Sequence, residues 1–168
     1  GIGTTENLHI FISNRPDDAR LGVSGREVPG YTAKIVNDDD SPVARGEIGE
    51  LMVLGQSVTS RYWNLPERSA ATLVDGWLRT GDFYYQDEDG YYICCGRSDD
   101  MLKVGGIWVS PVEIESRLIS HKAVLEAAVV GLTDDDDLVK PEAFIVLAEG
   151  HTGSDALIAE LQAHCKAG

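Results

Sequence analysis

The residues best suited to chemistry are gathered in one stretch, "WLRTGDFYYQDEDGYYICCGRSDDMLKVGG". Asp82 offers two carboxylate oxygens, which can accept hydrogen bonds from a vicinal diol such as that of a ribose. Arg97 offers a planar guanidinium that could reach a ribose or a phosphate. Each also has a plainer explanation, since Asp82 could close a turn at a strand end and Arg97 could pair with a neighbouring acid. The two residues are candidates for a nucleotide site.

Further positions in or just after this stretch could form a hinge or let a ligand approach the backbone. Asp99 is a small polar residue that tolerates unusual backbone angles, which suits a hinge, although an Asx-type turn explains it equally well. Lys103 is followed by Val-Gly-Gly, and the missing side chains of Gly105 and Gly106 allow a ligand or another backbone to approach closely. Trp108 could line a narrow channel or cover the core.

The segment "GIGTTE" at the start of the chain combines glycines with two hydroxyls and a carboxylate. A glycine-rich turn of this kind can donate to a phosphate, with the hydroxyl from Thr5, and hold a divalent cation through Glu6. A plain capped turn is the alternative. His9 lies just after it among apolar residues, where a lone histidine is usually a core residue.

Composition limits the classes of partner. The 168 residues carry a formal net charge of −14, which argues against nucleic acid because phosphate binding needs a basic face. Anionic nucleotides would also be repelled unless a metal ion or a few placed cations compensated locally. No apolar run is long enough to span a membrane. Cys94, Cys95 and Cys165 build no disulfide framework and are interpreted as reduced thiols of a cytoplasmic protein.

Residues 1–97 are predicted to be rich in strands. Alternating or β-branched runs occur in "NLHIFISN", "YTAKIVN", "GEIGELMVLGQSV" and on both sides of the turn "DEDG". The segment "NLPERSAATL" predicts a short helix with Pro66 in its first turn. Short strands separated by turns predict a barrel-like β unit for residues 20–97.

The pattern changes at about Ser98. A hairpin is predicted around Gly105 and Gly106, and then a helix whose start has Ser110 as N-cap, proline next and Glu113 three residues on. Two strands and a final helix, "SDALIAELQAHC", complete a small α+β unit. The fold class is therefore α+β, with domains 1–97 and 98–168. Both ends of the chain look cut, so the second unit is expected to be incomplete.

The order of "GIGTTE", "GELMVLGQSVTSRYWN" and "GWLRTGDFYYQDEDGYYICCGRSDDMLKVGGIWVSPVEIE" resembles the adenylate-forming acyl- and aryl-CoA synthetases, and "GIGTTE" with "LHIFISN" is similar to their benzoate-CoA ligase branch. The resemblance covers nearly the whole chain. It implies that residues 1–97 are the end of a large AMP-binding domain and residues 98–168 a truncated small one. The implied activity joins an aromatic acid to AMP from ATP with Mg²⁺, and then to coenzyme A. The same chemistry on aminobenzoate, hydroxybenzoate or another acid, and a non-catalytic module for structure or partner binding, are the alternatives.

The resemblance also implies roles for individual residues. Nucleotide binding would fall to Thr5, Asp82 and Arg97, and the magnesium ligand would be Glu6. Asp99 would be the hinge. The acyl pocket would be lined by Gly3, His9, Ile10 and Lys103, and the coenzyme A channel by Gly105, Gly106 and Trp108.

The chain departs from the family pattern in what it lacks. The phosphate loop of the family lies upstream of this sequence, and the catalytic lysine belongs to a segment after Gly168. No catalytic residue is therefore assigned, and the fragment alone is expected to be inactive. Ile2 stands where many members of the family have an aromatic residue that stacks on adenine.

Overall fold

The computed structural model describes residues 1–134 and 137–167. The chain divides into two compact units, a first unit Gly1–Asp99 and a second that begins at Asp100. The prediction from sequence put the boundary two residues earlier. Each unit has a hydrophobic core of its own.

The first unit consists of two antiparallel sheets and one helix, α1. A three-stranded sheet has the order β1-β2-β3, and a larger sheet of five strands has β7 at its centre, with β5, β6 and β8 all paired to it. The strands are β1 Ile2–Thr4, β2 His9–Ser13, β3 Arg26–Glu27, β4 Tyr31–Val36, β5 Gly49–Gly55, β6 Leu73–Val74, β7 Trp77–Gln86 and β8 Tyr92–Arg97, and α1 is Pro66–Thr72.

The core of this unit follows from strand alternation. Leu51 and Val53 point to the same side of β5 and are fully buried, together with Leu78 on β7 and Phe11 on β2. Tyr84 and Tyr92 complete the cluster from β7 and β8. Within the described residues these sheets do not close into a barrel, so the barrel-like prediction is wrong, whereas the α+β class is confirmed.

The glycine-rich segment at the start of the chain is a strand and not an open turn. Gly3 pairs with Ile10 beside a bulge between β1 and β2. A Cβ at Gly3 would lie 2.6 Å from the carbonyl oxygen of His9, so the glycine is needed because a backbone passes too close for any side chain. The turn follows one step later, over Thr5–Asn7.

The second unit packs two helices on a long antiparallel hairpin. Its elements are β9 Leu102–Val104, β10 Ile107–Val109, α2 Pro111–Ile119, β11 Val124–Thr133, β12 Val139–Leu147 and α3 Asp155–Lys166. Ser110 and Ser154 cap the two helices by accepting hydrogen bonds from the backbone of Glu113 and Leu157. Leu118 of α2 and Leu161 of α3 are buried with Val124 and Val129 of β11.

Three further observations bear on the predicted classes. Cys94 is exposed and Cys95 buried, as adjacent residues of one strand should be. Across residues 1–134 and 137–167, no helix has the length and apolarity needed to cross a bilayer. The same residues contain no cluster of three or more His, Cys, Asp or Glu side chains arranged to hold a metal ion.

Candidate functional site

Asp82 and Arg97 are direct neighbours across the pairing of β7 with β8. Nη1 of Arg97 donates to Oδ1 of Asp82 over 2.7 Å. The Asp82 side chain is 13% exposed whereas that of Arg97 is 57% exposed. The carboxylate is therefore largely shielded from solvent, and the guanidinium that pairs with it is the more exposed partner. This is the ion pair that the plainer explanation of Arg97 predicted, but its partner is the candidate diol-binding residue itself.

The backbone around Asp82 is shaped by its two preceding residues. The Thr80 hydroxyl donates to the carbonyl oxygen of Leu51 over 2.9 Å and accepts from the Asp82 backbone N–H over 3.1 Å. Gly81 has a φ of +70°, and a Cβ there would meet Nη2 of Arg97 at 3.1 Å. Gly81 therefore supplies both a left-handed backbone and the room in which the Arg97 side chain lies.

Glu6 is fixed by a residue far away in sequence. It sits in the 3₁₀ turn whose N-cap, Thr4, accepts from the Asn7 backbone N–H over 3.3 Å. The Tyr62 hydroxyl donates to Oε1 of Glu6 over 2.7 Å, and the backbone N–H of Thr59 donates to the Glu6 carbonyl oxygen over 2.8 Å. The hydrogen bond from Tyr62 to one of its two oxygens thus orients the Glu6 carboxylate.

The electrostatics of this contact keep Glu6 charged. The hydrogen bond from Tyr62 lowers the pKa of the Glu6 carboxyl below its usual value; partial burial opposes this, and the nearby positive charge of Arg68 assists it. Burial, followed by the hydrogen bond to Glu6, raises the pKa of Tyr62. The arrangement presents a carboxylate and a neutral phenol at neutral pH.

A cavity of about 510 Å³ joins these residues within the first unit. Thr5, Glu6, Gly3 and Arg97 all line it, and Asp82 adjoins it through its ion pair with Arg97. The other residues on its wall are Thr4, Glu50, Tyr62, Arg68, Ala71, Thr72, Leu78, Arg79, Thr80 and Gly81. Three arginines on one cavity provide the local cations that an anionic ligand requires in a chain of net charge −14.

The oxygen ligands on this wall are too few to hold a divalent cation alone, but they suit a cation that is also bound by a phosphate. Glu6 is held through Oε1, and one carboxylate with hydroxyls beside it is the usual protein contribution to Mg²⁺, which takes its remaining ligands from water and phosphate oxygens. Glu50, the other acid on the wall, is already paired with Arg79, Oε2 to Nη1, over 2.6 Å. Glu6 is the residue that would hold the ion, and the Thr5 hydroxyl beside it would face the phosphate.

The proposed acyl-pocket residues of the first unit lie on facing strands. His9 pairs with Thr4, and Ile10 pairs with Gly3. His9 is exposed and stacks on Tyr31, with ring centroids 6.3 Å apart, so its interpretation as a core histidine is wrong. Ile10 is 49% exposed. Both present surface that an acid could contact.

The remaining candidates lie at the unit boundary and in the second unit. Asp99 is the last residue of the first unit and lies in a turn. Lys103 and Trp108 are cross-strand partners in the β9–β10 hairpin, and the Lys103 ammonium lies 5.0 Å from the Trp108 ring centroid. Gly105 and Gly106 form the turn between these strands with φ of +58° and +86°. Trp108 is half-buried, between the two alternatives considered for it.

Sequence reasoning missed Tyr62, Arg68 and Arg79 as members of this cavity. Tyr62 bonds to a residue 56 positions away, and no local pattern encodes such a contact. Its segment, "RYWN", was visible as a motif without an assigned role. Arg68 and Arg79 look like ordinary surface cations on a helix and a strand, so only the fold brings them to one wall.

Comparison with known proteins identifies the family of the chain. The family model for AMP-binding enzymes matches residues 1–63, and that for the AMP-binding enzyme C-terminal domain matches residues 113–168. The chain belongs to the AMP-binding, adenylate-forming enzymes.

Within that superfamily the chain is similar to aryl-CoA ligases. It is 53% identical over 167 residues to the benzoate-CoA ligase of Thauera aromatica, a match that covers 99% of the chain and 32% of the relative. A crystal structure of an anthranilate-CoA ligase with anthranoyl-AMP matches with a TM-score of 0.79 and 53% identity, over 99% of this chain and 32% of that one. A benzoate-CoA ligase from Burkholderia xenovorans gives 0.77 and 47%, over 99% and 33%. The chain spans about a third of the length of these relatives.

Proposed function

We propose that this chain is part of an AMP-forming aryl-CoA ligase that activates benzoate. The observation that carries the proposal is the cavity of the first unit, whose wall includes Arg97, paired with the adjoining Asp82, together with the fixed carboxylate of Glu6 and threonine hydroxyls. A ribose diol, a phosphate and its cation need these groups. The identity to benzoate-CoA ligase supports the choice of acid.

In the first step, an oxygen of the substrate carboxylate attacks the α-phosphorus of ATP, and the bond to pyrophosphate breaks. Asp82 would hold the two ribose hydroxyls and Arg97 would donate to the ribose or phosphate oxygens, so both fix the nucleotide for in-line attack. Thr5 would donate its hydroxyl to the α-phosphate as negative charge develops there. Mg²⁺, with Glu6 as its protein ligand, would withdraw phosphate charge.

In the second step, the thiol of coenzyme A would attack the acyl carbon, the thioester would form and AMP would leave. The proposed small-domain residues serve this step. Gly105 and Gly106 form a turn with open space around both Cα atoms, which suits the passage of a thin pantetheine arm beside Trp108. Asp99, at the end of the first unit, is the proposed hinge about which the small domain (residues 98–168) would turn between the two steps.

Aminobenzoate is the second candidate acid, because the similarity to an anthranilate-CoA ligase structure, 53%, equals that to the benzoate enzyme. The acid would lie against Gly3, His9 and Ile10 of the first unit. A ring that carries an amino group would gain from a hydrogen bond to His9, whereas benzoate would use Ile10 and the face of the imidazole.

The test is a panel of acids supplied to the gene product that contains this chain, with ATP, Mg²⁺ and coenzyme A. The acids are benzoate, the aminobenzoates, the hydroxybenzoates and a fatty acid, and each acyl-CoA is quantified. We expect benzoyl-CoA to dominate, His9→Ala to change the preference among aromatic acids, and Leu8→Ala, an exposed neighbour, to leave it unchanged. A dominant fatty-acyl product would contradict the aryl assignment, and no product with any acid would contradict the ligase assignment.

A further inference from the structure

Arg68 and Arg79 are the two cavity-lining arginines that the proposed reaction leaves without a role. Arg68 is the more informative of the two. It lies on α1, and its guanidinium carbon is 4.5 Å from the ring centroid of Tyr62. The hydroxyl of the same ring donates to Glu6 over 2.7 Å. A single aromatic side chain therefore supports a cation on its face and a carboxylate at its edge, and both charged groups line the cavity.

The three arginines of the cavity differ in how far their charge is already neutralised. Arg79 pairs with both Glu50 and Asp40, and Arg97 pairs with Asp82. Among residues 1–134 and 137–167, Arg68 forms no ion pair with a carboxylate; it lies on the Tyr62 ring, and its charge lowers the pKa of Glu6 without a direct contact. Within these residues it is thus the cavity arginine that no carboxylate pairs with directly.

Stacking also decides what kind of ligand Arg68 suits. A guanidinium that lies on an aromatic face keeps its five N–H donors directed outwards in one plane. Such a fork matches the non-bridging oxygens of a phosphate group bidentately. Because rotation is restricted by the ring, less side-chain entropy is lost on binding than for an unsupported surface arginine.

We propose that Arg68, held on the Tyr62 ring, binds the polyphosphate portion of the nucleoside triphosphate and the pyrophosphate released from it. This rests on the proposed function, since it takes the cavity to be the nucleotide site. It separates the wall into two parts. Asp82 and Arg97 would serve the nucleoside monophosphate, and Arg68 with Glu6 would serve the leaving group and its cation.

The chain contains every residue of this wall, so the test uses the chain itself. Uniformly ¹⁵N-labelled protein is titrated with magnesium pyrophosphate and, separately, with AMP, and the side-chain Nε–H signals of the arginines are followed by NMR. Binding of each ligand is expected at about millimolar affinity, because the chain spans about a third of the length of its relatives. Arg68→Ala should weaken pyrophosphate binding about fivefold at low salt and leave AMP binding unchanged. Arg68→Lys should bind pyrophosphate more weakly than the wild type but more tightly than Arg68→Ala, since the charge remains but the planar fork does not.

Arg61→Ala is the matched control, because it removes the same charge from a neighbouring exposed position that does not line the cavity. Asp82→Ala supplies the second arm and should weaken AMP binding. Unchanged pyrophosphate binding in Arg68→Ala, with AMP binding still dependent on Asp82, would overturn the role of Arg68 and leave the nucleotide site standing. An equal loss in Arg68→Ala and Arg61→Ala would reduce the effect to net charge and also overturn it. If neither ligand perturbs the cavity signals of the wild-type chain, both the role of Arg68 and the nucleotide site are wrong.

Discussion

The two units of the chain use their polar residues in different ways. In the first unit, charged side chains are tied to fixed partners around a cavity, as in Asp82 with Arg97 and Glu6 with Tyr62. In the second unit, the well-placed polar side chains mainly serve the helices, for example the caps Ser110 and Ser154. A ligand site needs oriented charge, whereas a unit that only has to keep its own fold needs caps and a core. The difference matches the division of labour proposed for the two steps.

The largest expected effects come from the two separate cores. Leu51 in the first unit and Leu118 in the second are almost completely buried in different clusters. Leu51→Ala or Leu118→Ala should each cost about 3 kcal/mol in the free energy of unfolding of its own unit, since a cavity is left behind. Hydrogen exchange of backbone amides in β5 and β11 measures the two units separately.

The partly exposed Leu54 provides the control for this pair, because Leu54→Ala removes the same atoms with less loss of buried contact. Should either core substitution lower protection equally in both units, the two would unfold as one cooperative body and not as separate units.

Asp82→Ala tests the first unit as the seat of the nucleotide. In the gene product that contains this chain, it should slow ATP-dependent adenylate formation about a hundredfold, because the ribose loses its acceptor and Arg97 its partner. Pyrophosphate release measures the step. Asp89→Ala is the matched control, since Asp89 is an exposed carboxylate paired with Arg20 and does not line the cavity. Pyrophosphate release at the wild-type rate would refute the ribose role.

Asp99→Pro tests the boundary between the units. Proline fixes φ, so a hinge at this position would lose the rotation that it needs. We expect adenylate formation to be retained and thioester formation to fall about tenfold, with Asp99→Asn close to wild type. Single-turnover measurements with and without coenzyme A separate the two steps. A parallel loss in both steps would point to a folding defect and sink the hinge assignment.

Much of the fold could be predicted because its signals are local. The strand over His9–Ser13, the hairpin around "DEDG" and the helix that begins after Ser110 each follow from alternation, turn residues or a capping pattern. Strand closure is not local, and the barrel-like expectation failed because the sheets stop short of closing among the described residues. In "GIGTTE" the capped turn that was one alternative is present, with Thr4 as its N-cap, but Gly3 lies in β1 and serves the close approach of β2.

The residues of the site divide in the same way, into those that residue type and resemblance indicate and those that only the fold brings together. Asp82, Arg97 and Glu6 could be proposed from residue type and from family resemblance, although their roles stay predictions. Tyr62 and Arg68 could not, since their importance depends on contacts made through the fold. The exposure of His9 was also beyond the sequence, because His9 and Ile10 at the start of β2 are exposed whereas Phe11 and Ile12 are both buried, a pattern that strand alternation does not predict.

The smallest expected effect uses the fact that all six tyrosines lie in the first unit. The Tyr92 hydroxyl donates to Glu27 over 2.9 Å, and burial, followed by the charge of Glu27, raises the pKa of Tyr92 well above its ordinary value. The unfolded phenol loses its proton near pH 10 while the folded one keeps it, so the unfolded state binds fewer protons above that pH. The stability present below about pH 10 should therefore fall as pH rises, by about 1.4 kcal/mol per pH unit for this group.

Tyr92→Phe should reduce the slope of the free energy of unfolding of the first unit against pH, with the tyrosine-free second unit as internal control. An unchanged slope, measured by urea unfolding between about pH 9 and pH 11, would mean that Tyr92 ionises as freely in the folded unit as in the unfolded chain.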